Sequence, residues 1–376
     1  KFQNFIDSTQ YGYTADETSF ENGDCKYLRI TDIVPYFVEK ETVPFCKIPE
    51  EKKAQYMITD GDLLIARTGA TTGYNLIVDD SFKNFIFASY LIRFNYDKKK
   101  LFPLYVKYVL KSKLWYGFVN NYISGSAQPG MNARVFGKFN FPYVPLSTQQ
   151  KIASILSAYD KLIQNYKKQI EALQTAASEL YKEWFVRFRF PGYQTTKFEN
   201  GIPEGWKVVL ASELGEFVRG KNITAEEMQE GMIPVISAGI EPSGFHNQSN
   251  VKGVSLTISN SGANAGYLQI NYSNIWAADC SYCNSAKHIY FYYELLNNMR
   301  VVLFNLQKGA AQPHVYAKDI NKMKIILPPS ELIETANKKI KLMHEKIYSL
   351  QQQITNLTQQ RDLLLPRLMS GKLEVE

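Results

Sequence analysis

The segments GSAQPGMNAR, from Gly125 to Arg134, and GAAQPHVYAK, from Gly309 to Lys318, write one irregular decapeptide twice at a shift of 184 positions. The shift holds without a gap through Gln128 and Gln312, Pro129 and Pro313, Ala133 and Ala317, Lys138 and Lys322, and Pro145 and Pro329. It continues through Ile163 and Ile347, Ile170 and Ile354, Leu173 and Leu357, and Leu180 and Leu364. A register kept over that length means a duplicated unit, which the chain must fold twice. Upstream, GATTGY at Gly69 to Tyr74 recurs as GANAGY at Gly262 to Tyr267, now 193 apart, so the copies differ by loop insertions.

Each copy has two parts. The first mixes short β-prone runs, DLLIAR, NFIFASYLIRF and NFPYVPL, with a helical pattern over LYVKYVLKSKLWYGFVNN, which predicts an α+β globule. The second is a long helix. Ile152, Leu156, Tyr159, Ile163, Tyr166, Ile170, Leu173, Ala177, Leu180 and Trp184 fall at alternating steps of four and three, an unbroken heptad seam. Ser147 and Gln150 form a capping-box pattern at its start, and Pro191-Gly192 closes the segment. The matching seam is Ala336, Ile340, Met343, Ile347, Leu350, Ile354, Leu357, Arg361, Leu364 and Leu368. Arg361 interrupts it, and Pro366 is expected to kink or end the helix, because it lacks an amide and clashes one turn back. Two helices in one register, each following an equivalent globule, fit best as antiparallel partners. The expected picture is a dumbbell with a two-helix bar.

A chain of 376 residues with 45% hydrophobic and 14% aromatic content can bury more than one core. No apolar run reaches the ~20 residues of a membrane helix, and KFQNFIDSTQ has no signal-peptide pattern, so the chain reads as cytoplasmic. Its four cysteines are too few for a disulfide framework, and CSYC at Cys280 to Cys283 is one C-x-x-C without a second pair, so no metal site is expected. The net charge of +7 points to an anionic partner, commonly nucleic acid.

The chain resembles the specificity subunits of type I restriction-modification enzymes. The resemblance covers nearly the whole sequence and rests on GIPEGWKVVLASELGEFVRGK at Gly201 to Lys221, PVISAGI at Pro234 to Ile240, SGANAGY, GAAQP leading to KIILPPSELIE, and the closing LLLPRLMSGKLEV. It implies two target recognition domains, each reading half of a bipartite double-stranded DNA target, joined by two long antiparallel coiled-coil helices. On the numbering here these are residues 1–145, a spacer helix over 146–190, residues 191–329, and a second spacer helix over 330–370. The resemblance further implies that the helices set the spacer and dock two modification (methyltransferase) subunits, and that restriction (motor-nuclease) subunits join them. S-adenosylmethionine would then sit on the modification subunits and no cofactor on this chain. The first unit has no counterpart of GIPEGWKVVLASELGEFV. It opens about where Lys221 stands in the second, with YLRITDI matching PVISAGI, so its start is expected to be incomplete or differently built.

Candidate DNA-binding residues follow from chemistry: small residues let backbone approach a duplex, short amides and hydroxyls bond base edges, and cations meet phosphate. From the decapeptides these are Ser126, Gln128, Asn132, Arg134, Gln312, His314 and Lys318; from the Gly-rich turns, Arg67, Thr68, Thr71, Thr72, Ser259, Asn260, Ser261 and Asn264. Arg93, Lys107, Lys111, Lys113, Arg219 and Lys221, basic residues beside aromatics, extend the phosphate-facing set. The alternative for each is turn shaping or a solvated face. There is no GxxxxGK[ST], no H-E-x-x-H and no NPPY-like tetrapeptide, and His246, His288, His314 and His344 are scattered. No catalytic residue is expected. The alternatives are a DNA-modifying enzyme with an unrecognised active site, and a coiled-coil scaffold that binds a polyanion without reading sequence.

Overall fold

The structure, a computed structural model, describes residues 1–123, 130–309 and 312–370. It divides into two compact units, Lys1–Gln164 with Thr355–Glu376, and Asn165–Ile354. Both boundaries fall inside long helices, Leu146–Phe185 and Ser330–Met369, of 40 residues each.

In the first unit a four-stranded antiparallel sheet has the order Ile6–Tyr11, Leu91–Tyr96, Leu63–Ala66, Asn75–Ile77. A second sheet joins Glu17–Thr18, Phe45–Cys46, Cys25–Leu28 and Phe85–Phe87, the last pair parallel. The first sheet packs on an aromatic core in which Trp115, fully buried, stacks on Phe136 and meets Phe139 edge-on. The helical stretch after the sheet is two helices, Pro103–Leu110 and Lys113–Ile123, where the pattern predicts one. Ser112 breaks it: its hydroxyl donates to the Val109 carbonyl at 2.6 Å and accepts the Trp115 amide at 3.4 Å, closing one helix and capping the next.

The second unit repeats this plan. Val218–Arg219, Cys280–Cys283, Ser255–Ser259 and Leu268–Asn271 form the equivalent sheet in the same order. Ile233–Ile236 pairs in parallel with Trp276–Ala277, as Cys25–Leu28 does with Phe85–Phe87. Here Ala278 donates to the Ile236 carbonyl where Ala88 donates to Leu28, so the YLRITDI match is displaced by one residue. The start of the first unit also needs correction. Phe2 donates to the Phe139 carbonyl and Ala211 to that of Met323, each at 2.8 Å, and Phe139 and Met323 stand 184 apart. Lys1 therefore occupies the place of Leu210, not Lys221. In the second unit the strand Lys207–Leu210 pairs antiparallel with Lys324–Leu327. NFPYVPL, the match of Lys324–Leu327, is not a strand: Pro142 stands where the second unit has Ile326 and has no amide to donate to a ladder.

Every seam position is buried or half-buried. In the first unit Ile152, Ala153 and Leu156 share a core with Leu365, Leu368 and Met369; in the second, Ala177, Tyr181 and Trp184 share one with Ile333, Ala336 and Ile340. Within each unit an early stretch of one helix meets a late stretch of the other, which is antiparallel pairing. Ser147 lies inside the first helix and is not its cap. Instead buried Gln149 ties the start, donating to the Lys100 and Val144 carbonyls and accepting the Phe102 amide, all at 2.8 Å. Pro366 does not end the second helix, which continues to Met369; at the last turn the amide it lacks forfeits one bond instead of breaking a long ladder.

Two buried polar groups anchor these helices. In the first unit Arg361 donates to Asp160 at 2.8 Å, with both side chains under a tenth exposed, and Asp160 also accepts from Lys107 and Tyr108. In the second, His344 lies between the Tyr272 hydroxyl at 2.8 Å and the Glu294 carboxylate at 3.2 Å. His344 is thus a core residue. Among the described residues no helix is long and apolar enough to cross a membrane.

Candidate nucleic-acid interface

The two repeated motifs, far apart in each unit's sequence, meet in space. In the first unit the Gly-rich turn links Leu63–Ala66 to Asn75–Ile77 through a one-turn helix at Gly69–Thr71. Gly69 and Gly73 take left-handed φ values of 71° and 86°; Gly262 and Gly266 repeat them at 74° and 87°. A side chain is strained at that φ, which is why both glycines recur. Thr68 bridges Gly130, and the Met131 amide donates to the Arg67 carbonyl at 2.8 Å. Ser261 bridges His314, and the Val315 amide donates to the Asn260 carbonyl at 2.9 Å. The decapeptide is repeated because each copy hydrogen-bonds to its own Gly-rich turn.

A third segment completes the frame. The Arg67 amide donates to the Tyr90 carbonyl at 3.0 Å, and the Asn260 amide to the Asp279 carbonyl at 3.3 Å. Gly12 and Gly220 donate in the same way to Leu91 and Cys280. These bonds make Tyr11 equivalent to Arg219, Arg67 to Asn260, Tyr90 to Asp279, and Gly130 to His314. The backbone is held in common while the side chains differ in charge and size.

In the first unit the Arg67 guanidinium lies 5.2 Å from the Tyr11 ring centre and 5.7 Å from that of Tyr90, and its Nε donates to the Ser89 carbonyl at 3.2 Å. Tyr11 and Tyr90 are 46% and 53% exposed, so the arginine is held at the surface. Tyr11 also lines a cleft of 530 Å³ with Asn132 and Arg134. Arg134 is exposed, whereas the Asn132 carbonyl accepts the Val135 amide at 3.0 Å and caps the helix Ala133–Phe136.

In the second unit a cleft of 480 Å³ is lined by Arg219, Asn222, Ser261, Asp279, Gln312 and His314, among others. Ser261 donates its hydroxyl to Asp279. His314 stacks on Tyr316, and the Lys318 ammonium lies 5.6 Å from the same ring, so three decapeptide side chains form one stack. Lys221 is exposed beside this region of the chain.

Several candidates face inward instead. The buried Thr72 hydroxyl donates to Gly69, the buried Ser259 hydroxyl to Ala238 at 3.0 Å, and the buried Asn260 carbonyl accepts from Ser281 at 2.7 Å. Thr72 satisfies the turn's own backbone, while Ser259 and Asn260 tie the turn to neighbouring segments. Thr71, half-buried, donates to Thr68; Asn264 is half-buried on the equivalent one-turn helix. Arg93 is drawn under the sheet by Asp62 and the Met57 carbonyl, and Lys107 by Asp160, so neither belongs to a phosphate-facing surface. Lys111 is half-buried, its ammonium pulled down to about 8 by burial and the neighbouring Lys107; Lys113 is exposed. Ser126 and Gln128 lie outside the described residues. Asp279 and Tyr90 were not legible as site residues: they come from the link before a strand, with no motif of their own.

All four cysteines are buried, and burial raises each thiol, Cys280 to about 12, which withholds the thiolate needed for nucleophilic attack. Among the described residues no group of three or more His, Cys, Asp or Glu could hold a metal ion.

The family described as Type I restriction modification DNA specificity domain matches the chain twice, over residues 15–175 and 203–363. The MjaIX type I restriction enzyme specificity subunit of Methanocaldococcus jannaschii is 29% identical over 301 residues, spanning 72% of this chain and 69% of that one. The MjaVIII specificity subunit of the same organism is 27% identical over 232 residues, 55% of this chain and 53% of that one. A crystal structure of a type I restriction-modification S subunit from M. genitalium covers 98% of this chain and 94% of its own, with a TM-score of 0.60 at 17% identity, a likeness of fold.

Proposed function

This chain belongs to the type I restriction-modification DNA specificity family, and on that premise we propose that its two clefts read the two halves of one split duplex target for a methyltransferase complex. It is a specificity subunit, non-catalytic itself. Two modification subunits, carrying S-adenosylmethionine, would methylate adenine, and restriction subunits would join them in the cytoplasm. The long helices would fix the distance between half-sites and offer their outward faces to the modification subunits.

One observation carries this reading: each unit holds the same backbone frame of Gly-rich turn, decapeptide and strand link, with unlike side chains on it. A shared frame with divergent side chains is what reading two different half-sites requires. The experiment is an exchange of residues 201–327 for the matching part of a relative, followed by methylation of a randomised duplex library with the reconstituted complex. One half of the selected motif should change and the other stay. Loss of both halves together would refute separate reading.

A further inference from the structure

We propose that the two frames present opposite hydrogen-bond polarity to DNA: Arg67 of the first unit donates to a guanine edge, and Asp279 of the second accepts from the amino group of a cytosine or adenine. The assignment rests on the reading of this chain as a DNA specificity subunit.

The position is the same in both units, the pair of amide-to-carbonyl bonds that joins the Gly-rich turn to the strand link. In the first unit that rung carries Arg67 and Tyr90. The guanidinium is fixed by Nε on the Ser89 carbonyl and by the rings of Tyr11 and Tyr90. Among the described residues its two terminal nitrogens have no hydrogen-bond partner. A planar fork, held at its stem with both tips available, matches the O6 and N7 acceptors of guanine in the major groove.

In the second unit the same rung carries Asn260 and Asp279. The Asn260 side chain is turned inward to Ser281, and it is the half-buried Asp279 that lines the 480 Å³ cleft. One Asp279 oxygen accepts from Ser261; the other has no hydrogen-bond or ion-pair partner among the described residues. Arg219 lines the same cleft, and among the described residues it has no ion-pair partner, so the carboxylate is not committed to a salt bridge. A carboxylate repels the phosphate backbone and cannot serve as an anchor on it. On a surface that closes over DNA it needs a donor, and the base-edge donors of the major groove are cytosine N4 and adenine N6. Ser261 orients one oxygen so that the other is aimed rather than free to rotate.

The test uses the full chain assembled with its modification subunits and a duplex library with two randomised half-sites and a randomised spacer, read by which molecules become methylated. The variants are D279N, which can keep the Ser261 contact, D279A, and R67K, which keeps the charge but not the fork. Both Asp279 variants should relax one base pair of the second half-site about five- to thirty-fold, the lower part of the range for direct base contacts. R67K should relax one G·C pair of the first half-site by a similar factor. In each variant the untouched half-site reports that the protein is folded and assembled. A two-part motif left unaltered by all three variants would overturn the assignment alone. A uniform change in affinity with the same motif, as expected of a phosphate contact or of simple repulsion, would also overturn it. A wild-type complex that selects no two-part motif would overturn the underlying reading.

Discussion

The buried cluster around Asp160 gives the sharpest test of what holds the first unit's helices together. Asp160 accepts from Arg361 at 2.8 Å, Lys107 at 2.8 Å, Tyr108 at 2.9 Å and Tyr36 at 3.2 Å. The Arg361 guanidinium lies over the Tyr36 ring at 3.9 Å. Burial and the Asp160 charge together push both tyrosines well above their usual range, so they remain donors at any working pH. Removing one member of a buried pair typically costs ~3–5 kcal/mol, because the other charge stays buried and uncompensated. The two removals are not equivalent. Asp160→Leu strands four donors and should fall at the upper end of that range. Arg361→Leu leaves Asp160 with Lys107 and two hydroxyls, and should cost less, about 2–3 kcal/mol. For comparison, Lys341→Ala removes a pair with Glu345 in which both side chains are about half exposed, and should cost ~0–0.5 kcal/mol. The assay is amide hydrogen exchange in peptides from residues 146–164 and 355–369, with residues 289–298 of the second unit as internal reference. A loss of ~3 kcal/mol speeds exchange there by roughly 150-fold. In the double variant the two losses should fall short of their sum by more than ~1 kcal/mol. Additive losses, or losses no greater than that of Lys341→Ala, would refute the cluster as a cooperative anchor.

Lys111 supplies a pH dependence. Its folded-state value near 8 lies below the ordinary 10.5, so between those values the unfolded chain binds the extra proton and stability rises with pH. The wild-type protein should therefore gain stability relative to Lys111→Met as pH rises from about 8 to about 10, by urea titration; a constant difference would refute the assignment. In a separate experiment, inserting four residues at equivalent points of both long helices adds ~6 Å to each, about two base pairs, and the preferred spacer in a methylated library should lengthen by that amount. An unchanged spacer would show that the helices do not measure the gap.

The duplication and both seams were legible because they rest on side-chain identity at fixed spacing, and the structure buries or half-buries each seam residue. Arg361 was visible as an interruption, but its partner was not: Asp160 stands one position off the seam, where a charge reads as solvated surface. The start of the first unit was misplaced because Phe2 and Ala211 share no chemistry; their equivalence lies in amides that bond matching carbonyls. Polar residues of the turns divided for a reason periodicity cannot express. Thr72, Ser259 and Asn260 are turned into the frame by backbone groups and neighbours, whereas Arg67 and Asp279, half-buried, keep polar atoms without a partner among the described residues.

On the proposed reading, that division separates stability from base readout, atom by atom. What fixes the frame is backbone: the amide of Asn260 on Asp279, the amide of Val315 on Asn260, and left-handed glycines such as Gly266. A Cβ at Gly73 would come within 2.7 Å of Val119 in addition to meeting a forbidden φ, so change there is resisted by sterics as well as by strain. The Tyr90 and Asp279 side chains, by contrast, lie outside the hydrophobic cores, and their backbone bonds persist whatever side chain they carry. Substitution at such positions changes stability by only about ±0.5 kcal/mol, while at a base edge it changes discrimination by ~1–3 kcal/mol. One unit can therefore carry tyrosine and the other aspartate on an identical rung, and a duplicated chain can hold two unlike specificities without being folded twice over by different rules.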